Sequence, residues 1–276
     1  MSNLKKILIK AKRQVFSEMI GNNPSSFHGE GYDFSELREY QIGDDIKHID
    51  WNITAKMQKP YVKVFKEERE LHVSLVSMMG GSLYFGSQKM KQEVVAEIMA
   101  LLSFSVVKNQ DLLSHYMIQE NLTQIIRPTK KEFPIHHATQ TILECETLNH
   151  QADYKNLGPL LMKHVKHKSL IIIVGDFFEI PDLTILSKRH EVIALIVRDK
   201  IEEQPKAMGF SALIDPQSGQ MLEGEFGRSK VDAYAKKVAL HDRELFASFK
   251  KSRIRHSKIY TDDNPFVAIK RLFGAL

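Results

Sequence analysis

Carboxylates crowd the run DFSELREYQIGDDIKHIDW at residues 33–51, where Glu36, Asp44, Asp45 and Asp50 stand within one short span. Hard oxygen ligands at that density suit a Mg²⁺ ion, and a bound ion could activate water for hydrolysis. The same run interleaves Arg38, Lys47 and His48, cations that compete for those carboxylates. Gly43-Asp44-Asp45 is also a turn signal carrying a side chain suited to N-capping. An ionic clasp that orders a loop, or a loop ordered for docking, is therefore the preferred reading of the cluster. Tyr40 lies inside it and Trp51 closes it; Trp51, the only tryptophan, is expected to seat the loop on the core.

A second set of candidates sits where strands should end. MMGGSLYFG follows one apolar run and VGDFFE follows another, so Ser82 and Asp176 are expected at neighbouring strand ends. In an open α/β sheet the functional crevice lies beyond the carboxyl ends of the strands. The Gly80-Gly81-Ser82 turn has no Gly-Lys-Ser/Thr after it, which excludes a Walker-type phosphate cradle. Ser82 lacks the G-x-S-x-G setting of a hydrolase nucleophile. The plain role for Asp176 is a helix-capping carboxylate. His136, His137, His164 and His167 have no spacing that fixes a metal geometry.

Periodicity supplies the elements that must position these groups. Residues 4–20 place Leu4, Ile7, Leu8, Ala11, Val15, Met19 and Ile20 on one helical stripe. PYVKVFKEERELHVSLVSMM reads as two extended runs, the first with Val62 and Val64 alternating with lysines, the second a strand at 71–79. Further strands are predicted at 112–118, 122–127, 169–177, 191–197 and 256–260. Helices are predicted at 92–107, 135–148, 157–167, 230–250 and 265–273, with a short one after Pro181. The continuous apolar run SLIIIVGDF reads as a strand buried on both faces. The alternation implies an α/β fold with a doubly wound, mostly parallel sheet and helices on both faces.

Composition narrows the classes further. Hydrophobic residues make up 43% and charged residues 26% of the chain, enough for an ordinary core without staples. One cysteine, Cys145, excludes a disulfide framework and a multi-thiolate zinc site. Lysines interrupt every apolar run near the N-terminus, and no apolar stretch reaches bilayer length, so a cytoplasmic location is expected. The net charge of +5 gathers before residue 14 and between Arg228 and Lys258. Those stretches hold few aromatics for stacking, so nucleic acid is not the expected partner. Peripheral contact with an anionic membrane surface through the same stretches stays open.

GEGYDFSELREYQIGDDIKHIDWNITAKMQKPYVKVFKEERE closely resembles the signature of the bacterial domain-of-unknown-function family fifty-eight. The matching residues are Gly29, Gly31, Phe34, Leu37, Arg38, Tyr40, Gly43, Asp44, Asp45, Ile49, Asp50, Trp51 and Ala55, with Lys56 in place of the usual Arg. Phe85-Gly86, GDFFE and IYTDDN follow in the expected order, so the likeness covers almost the whole chain. The resemblance implies a von Willebrand factor A-like domain at 71–276 with an N-terminal extension at 1–70. It also implies a MoxR-type AAA+ ATPase as partner, acting on a client protein complex of unknown identity.

Domains of that kind often hold Mg²⁺ through Asp-x-Ser-x-Ser, a Thr and a later Asp. The resemblance places these positions on Met78, Gly80 and Ser82, near Lys155, and on Asp176. Only Ser82 and Asp176 keep ligand chemistry, so a degenerate metal-ion-dependent adhesion site without metal or other cofactor is expected. Lys155 is expected to pair with Asp176 and supply a fixed charge there. The functional expectation is a non-enzymatic adaptor or scaffold. Its rivals are a Mg²⁺-dependent hydrolase or nuclease using Asp44, Asp45 and Asp50, and a module binding anionic membrane or nucleic acid.

Overall fold

The computed structural model describes residues 3–17, 32–67 and 71–274. Two compact units are formed, one by residues 25–71 and one by the remainder. The loop expected at 22–31 and the last residues of the first helix lie outside the described residues.

In the smaller unit, β1 (Tyr32–Glu39) pairs antiparallel with β2 (Tyr61–Glu67), setting Arg38 opposite Val62 and Leu37 opposite Lys63. Between them lie a 3-10 turn at Ile46–His48 and the helix α2 (Trp51–Met57). Residues 33–39 of the charged run are thus a strand and not a loop. Its period-2 pattern is hidden because the register shifts between Phe34 and Glu36, which throws successive side chains out of alternation.

The larger unit is built on a six-stranded sheet. Its strands are β3 (His72–Met78), β4 (Leu112–Ile118), β5 (Leu122–Thr129), β6 (Leu170–Gly175), β7 (Glu191–Arg198) and β10 (Arg255–Tyr260). Their spatial order is β10-β7-β6-β3-β4-β5, parallel throughout except for β4 with β5. Every residue of β6 is buried, as its unbroken Leu-Ile-Ile-Ile-Val composition requires of a central strand. The helices of this unit are α1 (Asn3–Ser17), α3 (Lys91–Lys108), α4 (Phe133–Glu144), α5 (Leu157–His164), α6 (Thr184–Arg189), α7 (Lys200–Glu203), α8 (Arg228–Lys251) and α9 (Pro265–Gly274).

Side chains alternate across the sheet and build a layer on each face. On one face Val76, Met78, Ile171, Ile173, Ala194 and Ile196 pack with Leu161 of α5, Leu186 of α6 and Leu245 and Phe249 of α8. α3 covers the other face and is buried nearly all round, because α1 and α4 pack on its outer side. Ile7, Leu8, Ala11 and Val15 of α1 are buried there, and Lys10 pairs with Glu97 of α3. The expected 1–70 extension is therefore divided, with α1 belonging to the sheet unit. The α/β class and the mostly parallel sheet are as the sequence implies, and the arrangement is consistent with a von Willebrand factor A-like fold.

Several elements had no sequence expectation, among them β1, α2, α7 and a β-ribbon. β8 (Gly209–Ile214) and β9 (Met221–Phe226) form a two-stranded antiparallel ribbon with most side chains exposed. Without a buried face there is no alternation to read; only its turn, DPQSG at 215–219, carries a signal.

Candidate functional site

The carboxyl ends of β3, β6 and β7 converge on one crevice. β6 ends in Gly175, whose missing side chain is required: a Cβ there would lie 2.5 Å from the Tyr154 hydroxyl and 2.8 Å from Met78 Cβ. Asp176 follows and is buried, and Phe177 turns the chain in a left-handed conformation at φ 52°. A non-glycine residue held there stores local strain of the kind found at functional sites. Ser82, in the short turn after β3, donates its hydroxyl hydrogen to Asp176 Oδ2. The Tyr154 hydroxyl donates to Oδ1 at 3.0 Å and accepts from the Phe177 N–H at 3.1 Å.

The cation beside Asp176 is Lys91, the first residue of α3. Its ammonium lies 3.8 Å from Asp176 Oδ2, is fully buried, and donates to Glu202 Oε1. Glu202 is held in turn, because Oε2 accepts from the Asp199 N–H at 2.9 Å in a capping box that starts α7. Phe178 lies between two cations, with Lys91 Nζ 5.2 Å and Arg198 Cζ 3.5 Å from its ring centre. Arg198, also fully buried, gives one hydrogen bond to Asp242 Oδ1 at 3.2 Å.

Charge and burial oppose each other here. Burial alone would push Asp176 upward, but the Lys91 charge, the Ser82 hydrogen bond and Arg198 bring it below the usual carboxylate range. Glu202 moves the other way: burial raises it more than its Lys91 contact lowers it. Burial, with Asp176 beside it, holds the Tyr154 phenol well above its ordinary value, so it donates as a neutral hydroxyl.

The crevice is capped by the β8–β9 turn. A Cβ on Gly81 would stand 2.0 Å from the Pro216 carbonyl oxygen, so only glycine admits the turn. That carbonyl accepts from the Asn149 N–H at 2.9 Å, and the Gln217 amide reaches Ser82 Oγ at 3.5 Å.

The Mg²⁺ that such folds often hold does not fit these donors. Met78 is a buried thioether in the apolar layer, Gly80 has no side chain, and Ser82 and Asp176 are bonded to each other. The Lys91 ammonium stands 3.8 Å from Asp176, the one carboxylate among those positions. Hard divalent cations need several free oxygen ligands and net negative charge, and the oxygens here are taken up by one another and by Lys91. The expected Lys155–Asp176 pair is corrected: Lys155 is exposed while Asp176 is buried, and Tyr154, one residue earlier, points inward instead. Lys91, Tyr154, Arg198 and Gln217 were all missed from sequence. Glu202 had a legible signal, the capping pattern Asp199-x-x-Glu202.

The signature cluster at 33–51 is arranged differently. Arg38 grips Asp44 with two hydrogen bonds, at 2.9 and 2.6 Å, and Asp44 Oδ2 also accepts from the Gln41 N–H at 2.8 Å. The Arg38 hydrogen bonds, followed by that of Gln41, hold Asp44 below the usual carboxylate range. Gly43 supplies φ 113° at the turn, where no other residue type sits comfortably. Asp45 caps the 3-10 turn through the Lys47 N–H at 3.0 Å. Asp50 caps α2 through the Asn52 and Ile53 N–H groups and pairs with Lys63 at 3.0 Å, contacts that lower its pKa. Tyr40 donates its N–H to the Pro60 carbonyl at 2.8 Å. Glu36 lies in β1, and its side chain is outside the described residues.

Trp51 corrects a second expectation. It opens α2 and is 67% exposed, so it does not seat the segment on a core. Trp51 is left largely exposed, as are Ile42 and Ile46. Among the described residues, no three His, Cys, Asp or Glu side chains converge as metal ligands. No described helix is long and apolar enough to cross a membrane.

Uncharacterized proteins of Mycobacterium bovis and Mycobacterium tuberculosis are each 25% identical to the chain over 254 residues, spanning 88% of it and 78% of their own length. Among solved structures, BatB, a conserved hypothetical protein of Bacteroides thetaiotaomicron, matches at 11% identity with a TM-score of 0.45, over 74% of this chain and 98% of that one. An aerotolerance-related membrane protein of Bacteroides fragilis matches at 11% identity with a TM-score of 0.44, over 75% and 100%. The family model described as "Protein of unknown function DUF58" matches residues 36–244, from within the signature run to the middle of α8. The chain belongs to that family.

Proposed function

We propose that this protein is a non-enzymatic, cytoplasmic adaptor that works with a MoxR-type AAA+ ATPase in assembling or maturing a protein complex. The observation that carries the reading is in residues 37–51, where described carboxylates serve their own backbone and cations while apolar side chains face solvent. Ile42, Ile46 and Trp51 are 103%, 63% and 67% exposed. Tryptophan in such a setting is the residue type most enriched at the energetic centre of protein interfaces. The docking surface for the ATPase is this segment, kept in shape by the Arg38–Asp44 clasp and the two Asp caps. The crevice at the sheet edge is a degenerate metal site in which Lys91 does the ion's electrostatic work.

The rival reading, a Mg²⁺-dependent hydrolase using Asp44, Asp45 and Asp50, needs carboxylates free to bind an ion. Each of the three is instead engaged by hydrogen bonds within its own turn. The test is calorimetric titration of the full chain with a purified MoxR-type ATPase from the same genome, with and without ATP. Saturable binding that Trp51→Ala weakens at least several-fold is the expected result. No binding, or binding indifferent to Trp51→Ala, contradicts it. Mn²⁺- or Mg²⁺-dependent phosphodiester cleavage abolished by Asp45→Ala would put the hydrolase in its place.

A further inference from the structure

α8 ends beside the start of β10, and α9 packs back on that strand. An open hollow of about 730 Å³ lies between the three elements. Phe246, Ile254 and Leu272 line it with apolar surface, and Lys250, Arg253 and Arg271 bring three cations to it. All three cations are exposed, and none pairs with an acidic side chain among the described residues. Neighbouring cations are used differently. Arg255 pairs with Glu191 at 2.6 Å, and Lys258 pairs with Glu203 and Asp242, each at 2.6 Å.

The plain explanation for basic residues here is the negative end of the α8 dipole. It covers Lys250 and Arg253, which follow one another along the chain. Arg271 lies in the last turn of α9 and meets the negative end of that helix in the same way. The dipoles do not account for cations from two helices converging on one hollow, with Phe246 and Leu272 part-exposed in its lining. Arg253 also occupies the position after a helix end where glycine is the default, at φ 54°. Gln58 and Gln110 take the same conformation just after α2 and α3, so this is a recurrent way of ending a helix in this chain.

We propose that this hollow binds an acidic peptide segment that carries apolar side chains, contributed by a partner protein. The volume lies within the range of sites that enclose a ligand. A single nucleic-acid strand needs free rings for stacking, whereas Phe246 is already stacked on His256 at 4.7 Å. Carboxylates meeting the rim and an apolar side chain meeting the part-exposed Phe246 and Leu272 would satisfy both halves of the lining. This site is separate from the Trp51 surface and stands or falls independently of it.

Fluorescence polarisation of the full chain tests the assignment, using a labelled peptide of alternating Glu and Leu. Peptides of Lys and Leu, and of Glu and Ser, serve as controls, with phosphatidylglycerol vesicles as a separate arm. The expected result is saturable binding of the Glu/Leu peptide, about tenfold tighter than either control and weakened about tenfold by Arg253→Glu or Arg271→Glu. Both variants alter exposed side chains, so an unchanged thermal midpoint reports an intact fold. Equal binding of the Glu/Ser peptide, indifference to both variants, or vesicle binding without peptide binding would each overturn it.

Discussion

The protein carries two dense clusters of charge, and they differ in burial. At the sheet edge, the side chains of Lys91 and Asp176 are 0% and 4% exposed. In the signature segment, those of Arg38 and Asp44 are 37% and 20% exposed. Similar charged groups therefore do different work. A buried ion pair has already given up its hydration, so removing one partner strands the other in low dielectric. A solvated pair can rehydrate, and what it mainly supplies is the shape of a turn. The first cluster holds the fold together where a ligand could otherwise enter, and the second holds a surface open.

The largest effect should come from breaking the buried cluster. Lys91→Met leaves Asp176 and Glu202 facing each other without their cation, and urea unfolding should show a loss of about 3–5 kcal/mol. Lys63→Met, which removes the partner of Asp50 in the exposed cluster, should leave the midpoint nearly in place. Similar losses from the two would erase the distinction.

Gly81→Ala comes next. Its methyl would meet the Pro216 carbonyl at 2.0 Å, so the capping turn must shift, at about 1–3 kcal/mol. Hydrogen exchange at the Asn149 N–H, bonded to that carbonyl, should rise with it. Gly43→Ala is the contrast: nothing lies within 4 Å of its added methyl, and only the φ of 113° resists it.

Acid titration sharpens the comparison. The folded value of Asp176 lies below its unfolded one. Its contribution is complete above the ordinary carboxylate range and is lost as pH falls through the lowered value. Glu202 is raised by burial, so the folded state takes up its proton first, and stability rises as pH falls through that value. Glu202→Gln should remove this rise, seen as a pH-dependent difference from wild type in unfolding free energy. His115, which burial pulls down to about 3, adds a loss of stability as pH falls from its unfolded value of 6.5. The smallest effect belongs to Arg38→Ala, which should barely move stability yet speed exchange at the Gln41 N–H, because Asp44 is no longer held in place.

Much of the fold was legible because burial imposes period. β6 and β7 are unbroken apolar runs, α1 has one clear stripe, and strand β4 was expected at 112–118, the bounds it takes. Elements without a buried face escaped, as the β8–β9 ribbon shows, and the bulge in β1 disguised a strand as a loop. Ser82 and Asp176 were found because strand ends can be located in sequence. Lys91 was not, since nothing local marks a lysine that opens a helix as the partner of a carboxylate 85 positions away. Trp51 was misplaced by its type alone: a lone tryptophan suggests a core, and this one sits on a capped helix end in solvent.

Calorimetric titration of the full chain with Mg²⁺ and Mn²⁺, beside Asp176→Ala, asks most directly whether an ammonium has taken an ion's place at the sheet edge. The expected result is no saturable heat that depends on Asp176 in either metal. Stoichiometric binding by the wild type that disappears in Asp176→Ala would contradict it.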